Sequence, residues 1–503
     1  MMDIVFCIVP KLDPYAPTTG PALLKAHCVD AGFKAMVKDF NIDLYNWLKL
    51  QNRHEEFFNA KDTGFITWYD RDYVYPPEWE ELYEIISPRV QLWIDELIEL
   101  KTKWVGLSML SSASVCVGKR ICELLREQAP EIKIVIGGAA VRSQTKSWVD
   151  NGLVDYYIFG DGEFSIVELL NGNYAADGIN SNSPCQVDDL NTTLMPDYDD
   201  IDWKQYEYVS GPFTLAQDMA PIYITGSRGC VKRCTFCDVP MLWPKYKWRS
   251  ADHIFGEIQL MYEKHNRRLF RFTDSLINGS MSQFRSFLTK IKEFNDEKDD
   301  IDQITWWSQW IIRARGQMLE EDFKLMADSG ITELDIGLES FSESVRWHMG
   351  KKFTDDDLWW NLEMMHKYDI HYTLLMITGY PTETAEDHQI TLDGVKKMAE
   401  LGYVSSAKNK NRPSTAYLSF GNTMMLQPDY KIYKMLENDP EFKDGIRSVD
   451  WSYKDNLPEE RIRRHLEVNT LVSEITNQNW SWQQEKQLRQ DLEEIRKHRD
   501  AYG

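Results

Sequence analysis

Two long stretches of this 503-residue chain alternate short apolar runs with amphipathic segments, and that alternation constrains the fold more than any other feature. From the start to residue 172 the order is "DIVFCIVP", "GPALLKAHCVDAGF" and "KAMVKDF", then, beyond an insert, "KWVGLSML", "SVCVGKRICELLREQ", "IKIVIGG", "VDYYIFG" and "EFSIVELL". Unbroken apolar runs predict strands buried on both faces, and helical periodicity between them predicts crossovers. Together they give an α/β fold with a doubly wound, Rossmann-like parallel sheet over 1–172. The insert, about 45–100, is rich in Trp, Tyr and Glu and reads as helical.

Residues 173–219 are dense in Asn, Asp, Gly and Pro with little periodicity, which marks a linker. Alternation then resumes over 220–429 with "PIYITGS", "LFRFTD", "ITWWSQWIIR", "TELDIGL", "HYTLLMIT" and "STAYLSF". Six strand–helix units predict a partial (β/α)6 barrel, smaller than the eight-unit form. Residues 430–503 are charged and helical and read as a solvated cap on the barrel. The length asks for two or three cores, and 43% apolar with 13% aromatic residues supplies them.

Charge excludes some partners. With 57 basic against 79 acidic residues the net charge is −22, which argues against a sequence-independent grip on nucleic-acid phosphates or on an anionic membrane. The opening "MMDIVFCIVPKLDPYAP" lacks a basic n-region and cleavage site, and no apolar run reaches the length of a spanning helix. A cytoplasmic protein is expected. In that reducing compartment clustered cysteines bind metal or do chemistry more often than they form disulfides.

Three of the eight cysteines, Cys230, Cys234 and Cys237, stand as C-x3-C-x2-C within "GSRGCVKRCTFCDVP", directly after the first barrel strand. The C-terminal end of a barrel strand opens onto the usual active-site face. A structural zinc site wants four ligands, and no fourth Cys or His stands nearby before His253. A plain electron-transfer cubane also takes four thiolates, whereas three leave one iron open to a chelating small molecule. The other cysteines, Cys7, Cys28, Cys116, Cys122 and Cys185, are scattered and read as small core hydrophobes, so one cluster is the count.

The C-x3-C-x2-C spacing, with Phe236 before the third cysteine, resembles the signature of radical S-adenosylmethionine (SAM) enzymes. The resemblance implies a single four-iron four-sulfur cluster on Cys230, Cys234 and Cys237, and SAM chelating the open iron. One electron from the cluster then cleaves SAM to a 5′-deoxyadenosyl radical. "RFTDSLINGSMSQF" looks like the family's second strand, ending at Asp274. "WIIRARGQMLEEDFKLMADSGITELDIGLESFSESVRWHMGKKFT" is similar to the third and fourth units of the subgroup that adds a cobalamin-binding domain, and "LLMITGYPTETAED" to its fifth-strand end. By that resemblance Phe236, Asp274, Arg313 (or Arg315) and Glu339 are the SAM-binding candidates. Taken alone, Arg313 is also a salt-bridging arginine, Glu339 a helix cap and Asp274 a turn former.

The N-terminal segments resemble the subgroup's cobalamin-binding half. Gly137, Gly138 and Gly160 fall where strands end and a corrin could approach backbone, and Ser108 and Ser111 could bond its edge. No Asp-x-His-x-x-Gly occurs, His27 and His54 lie outside the expected loops, and Ala140 stands where relatives often carry a polar residue. No histidine from that motif is therefore expected to ligate cobalt.

The resemblance implies a cobalamin-dependent methyltransferase acting on an unactivated carbon. The alternatives are a cobalamin-independent radical SAM enzyme doing cyclisation, rearrangement or oxidation, and, from another class, a non-catalytic iron–sulfur redox or binding protein. Expected partners are a small-molecule or peptide substrate and an electron donor such as flavodoxin or ferredoxin. Trp243, Tyr246 and Trp248 are read as core packing or as cavity lining.

Overall fold

A computed structural model describes residues 1–59, 75, 79–142, 145–206, 220–404, 415–445 and 448–476. These fall into two compact units. One holds the N-terminal sheet together with Met241–Arg271; the other holds Gly226–Pro240 and the described residues from Phe272 onward.

In the first unit, β1 (Ile4–Ile8), β2 (Ala35–Asp39), β3 (Trp104–Ser108), β4 (Lys133–Gly137) and β5 (Tyr156–Tyr157) form a parallel sheet in the order β2-β1-β3-β4-β5. Ile4 pairs with Ala35 on one side and Trp104 on the other, so the order reverses direction beside β1. Such a switch opens a crevice at the carboxyl ends of strands, where ligands bind in doubly wound sheets. The apolar run of β1 is explained by its two faces. Val5 and Cys7 pack with Phe40, Trp93 and Val105, while Ile4, Phe6 and Ile8 pack with Cys28, Val37 and Ile166.

Within the described residues the insert is helical over Phe40–Lys49, His54–Phe58 and Trp79–Glu99. Trp93 stacks on Phe40 with ring centroids 4.5 Å apart, burying the apolar stripe of the last helix. Residues 173–206 contain two short 3-10 turns, Leu190–Thr192 and Trp203–Gln205, each capped by an aspartate that sequence alone reads as linker composition. Lys25 Nζ lies 3.1 Å from Asp197 and 2.7 Å from Asp200, tying this segment to the helix Thr19–Asp30.

The later strands are β6 (Ile222–Ile224), the two-residue β7 (Ser227–Arg228) and β8 (Lys247–Trp248), then β9 (Leu269–Phe272), β10 (Thr305–Trp310), β11 (Ile331–Glu339), β12 (Tyr372–Thr378) and β13 (Ala416–Thr423). Six of them form one sheet in the order β13-β12-β11-β10-β9-β6, the successive order of an open barrel. Pairing is parallel from β10 through β13. Capping residues start the connecting helices: Thr354 and Thr384 each accept the amide of the aspartate three residues on, which bonds back to the threonine amide.

The helix Pro458–Thr476 departs from a solvated cap. Arg461, Arg464 and His465 are buried on it. Arg464 Nη1 lies 3.0 Å from Glu383 Oε1, both side chains 4% exposed. Arg461 donates to the carbonyls of Val449, Trp451 and Asn456. "QQEKQLRQDLEEIRKHRD" lies outside the described residues. No helix among the described residues is long and apolar enough to cross a membrane.

Candidate functional site

The three cysteines sit on the loop that follows β6 and β7, all half-buried and none in a disulfide. The loop is held from several directions within its unit. At its start the Gly226 amide donates to Asp274 Oδ2 at 2.7 Å, with Asp274 2% exposed at the end of β9. In its middle the Thr235 amide donates to Met349 O at 2.9 Å, and Thr235 O accepts from the Ile432 amide at 2.8 Å. The Thr235 hydroxyl and Tyr380 OH are 2.8 Å apart. Phe236 packs with the apolar cluster of Val345, Met349, Tyr380 and Met424. The loop backbone is thereby fixed whatever the thiols bind.

The donor set fits an iron–sulfur cluster. Three soft thiols lie on one loop, and the Lys232 amide points at Cys230 Sγ at 3.3 Å, the hydrogen bond that a bound thiolate accepts. Burial pushes the Cys234 thiol up against the pull of Lys351, and pushes Cys237 up to about 12, so metal must displace protons to bind here. Among the described residues no three Cys, His, Asp or Glu side chains converge on one metal ion. A four-iron cluster does not require that convergence, since each thiolate takes a different iron.

The SAM candidates gather at strand ends of the same unit. Glu339 ends β11, where a register shift after Gly337 and a φ of 69° turn its carboxylate inward. Bulges and left-handed non-glycine residues cluster where a fold must re-aim a side chain. Its Oε1 lies 3.0 Å from Lys351 Nζ. Arg313 donates through Nε and Nη2 to Asn278 O and through Nη2 to Gly279 O, an anchoring to backbone carbonyls. Arg315 places its guanidinium over the Trp360 ring, 5.5 Å from the centroid. Asp274 spends one carboxylate oxygen on Gly226, so in this structure it secures the loop.

Spacing arguments missed Lys351, Lys232 and Tyr380. The "GKK" run reads as ordinary positive charge after a helix, and only the left-handed Gly350 before Lys351 hints at a special turn. Burial and the neighbouring Arg313 lower the pKa of Lys232.

In the first unit Ser108 ends β3, Ser111 caps the helix Ser112–Gln128, Gly137 ends β4, and Gly138 and Gly160 follow β4 and β5. All five lie at carboxyl ends of strands. Ser111 Oγ donates to Lys11 O at 3.3 Å. A Cβ on Gly138 would stand 2.4 Å from Met109 O, and one on Gly160 2.2 Å from Cys185 O, with φ of 105° and 99°. Chain packing alone therefore requires both glycines, whereas a Cβ on Gly137 would meet nothing closer than Ile158 O at 3.9 Å. His27 Nε2 accepts the Leu194 amide at 3.1 Å, which commits it to the fold. Ala140 is buried.

Cys7, Cys28 and Cys122 are buried in the core, and Cys185 Sγ donates to Asp161 O at 2.7 Å. Trp243 Nε1 donates to Asp161 Oδ1 at 2.9 Å, and Tyr246 stacks on Trp248 at 5.9 Å. Pro244 and Lys245, beside Trp243, line a cavity of about 700 Å³ together with Asp161, Phe164, Cys185 and Val187.

Residues 224–394 match the model of the Radical SAM superfamily. An uncharacterized methyltransferase of Pyrococcus horikoshii is 22% identical over 354 residues, 66% of this chain and 72% of that one. A cytidylyl-2-hydroxyethylphosphonate methyltransferase of Streptomyces wedmorensis is 23% identical over 288 residues, 49% of this chain, and the match spans only 52% of that relative. Among solved structures, the radical S-adenosylmethionine methyltransferase TsrM of Kitasatospora setae, with cobalamin and a 4Fe–4S cluster bound, superposes with a TM-score of 0.58. That superposition covers 88% of this chain and 77% of TsrM at 16% identity, so the likeness it establishes is one of fold.

Proposed function

We propose, from the premise that residues 224–394 form a radical SAM domain, that this protein is a cobalamin-dependent methyltransferase acting on an unactivated carbon. The observation that carries the reading is the clamped loop of three half-buried thiols, with Glu339 and Arg313 at neighbouring strand ends. Cys230, Cys234 and Cys237 would hold a single 4Fe–4S cluster and leave one iron for the amine and carboxylate of SAM. Ser108, Ser111 and Gly137 would border cobalamin at the carboxyl ends of the first sheet. When bound, the reduced cluster supplies the electron that cleaves SAM, and cobalamin supplies the methyl group.

The chain's own residues position and shield. Asp274 keeps the start of the cysteine loop in place. Arg313, its guanidinium oriented by two carbonyls, would serve the SAM carboxylate, and Glu339 a SAM hydroxyl or amine. Phe236, backed by Met349 and Tyr380, would offer an apolar face beside the third cysteine that limits water at the site. The substrate is a small molecule or a peptide, and the reductant a flavodoxin- or ferredoxin-type protein.

A second reading, a cobalamin-independent radical SAM enzyme, draws on one observation: chain packing suffices to account for Gly138 and Gly160. Anaerobic reconstitution with iron, sulfide and hydroxocobalamin separates the readings. The methyltransferase reading expects about four irons and one cobalt in the wild type, with iron lost and cobalt kept in a Cys230→Ala, Cys234→Ala, Cys237→Ala triple variant. Iron without cobalt selects the second reading. Equal iron in both proteins removes both.

A further inference from the structure

We propose that Lys351 is a positioning residue whose fixed positive charge, held by Glu339 where the chain lies against the cysteine loop, raises the reduction potential of the cluster. The inference rests on the reading that these cysteines carry a cluster.

Three features force the lysine into this place. The helix Glu343–Met349 ends with Gly350 in a left-handed conformation, φ 89°. A Cβ on Gly350 would stand 3.2 Å from Arg233 O and 3.6 Å from Cys234 Cα, so the backbone just before Lys351 lies against the cysteine loop. The Thr235 amide bonded to Met349 O locks that approach at 2.9 Å. Lys351 has no freedom to swing to solvent: its side chain is 12% exposed, with Nζ 3.0 Å from Glu339 Oε1, 2.5 Å from Gly337 O and 6.0 Å from the Phe236 ring centroid.

The charge is secure. The Glu339 carboxylate at 3.0 Å and the Gly337 carbonyl at 2.5 Å hold the ammonium in its charged form. A bound cluster gains negative charge on reduction, and a positive charge fixed in a poorly solvated place stabilises that state. The same ion pair consumes one oxygen of Glu339 and so sets the direction in which the other faces.

The test is the midpoint potential of the reconstituted cluster, followed by electron paramagnetic resonance during dithionite titration, in wild type and in Lys351→Met, Lys351→Gln and Lys351→Arg. Iron content comes first, with about four irons expected in every protein. The inference expects the Met and Gln variants to move to more negative potential by similar amounts, and the Arg variant to stay near the wild type. Unchanged midpoints in Met and Gln overturn it. So does loss of iron from both, because the lysine would then be a strut for the loop rather than a source of charge. Equal iron in wild type and the triple cysteine variant overturns the cluster reading itself, and this inference with it.

Discussion

At the scale of single residues, the glycines after the first-sheet strands give the sharpest contrast. Gly138→Ala and Gly160→Ala each drive a Cβ into backbone at 2.4 Å or 2.2 Å in a left-handed conformation, so each should destabilise by about 2 kcal/mol or more, read as a lower urea midpoint. Gly137→Ala meets nothing within 3.9 Å and should leave that midpoint unchanged. If corrin approaches this strand end, Gly137→Ala should still weaken hydroxocobalamin binding by several-fold in an optical titration. Unweakened binding would detach Gly137 from the cofactor. His465 carries a pH dependence. Burial pushes its imidazole down to about 4, so between that value and the usual 6.5 the unfolded chain holds a proton that the folded chain does not. Its contribution is therefore complete above pH 6.5 and lost as pH falls toward 4, by about 3 kcal/mol. Urea unfolding between pH 4 and 7 should show a slope that flattens in His465→Gln; an unchanged slope would place the titration elsewhere.

At the scale of elements, strands were legible because a parallel strand buried on both faces has to be an unbroken apolar run. "DIVFCIVP" and "HYTLLMIT" are such runs, and they became β1 and β12. What stayed hidden was direction. "PEERIRRHLEV" has the composition of a solvated helix, yet it buries Arg461 and Arg464, because their partners, the Val449 and Trp451 carbonyls and Glu383, come from distant turns that no local pattern announces. Glu383 itself belongs to the "GYPTET" stretch at the end of β12, so this helix secures a strand end on the site side of the sheet. Arg464→Ala should leave the Glu383 carboxylate buried without its cation and cost about 3–5 kcal/mol in urea unfolding, while Glu383→Gln with Arg464→Met should recover most of it. A single variant no less stable than the double would mean that the pair is not coupled. The candidate site divides in the same way. The three cysteines were readable from spacing, whereas Lys351 required knowing that Gly350 presses on the cysteine loop.

At the scale of the whole molecule, the chain holds a doubly wound five-stranded sheet and an open six-stranded sheet. The net charge of −22 predicts that fluorescence polarisation at physiological salt will detect no sequence-independent binding to duplex DNA or RNA; binding that weakens steeply with added salt would point to a local basic patch. On the proposed function, Cys230, Cys234 and Cys237 make this protein a SAM-cleaving enzyme. The direct measurement is 5′-deoxyadenosine formed from SAM by the anaerobically reconstituted, dithionite-reduced protein, beside the Cys234→Ala variant. Product is expected from the wild type and none from the variant above the protein-free background. Product from both, or from neither when the wild type carries its full iron, would contradict it.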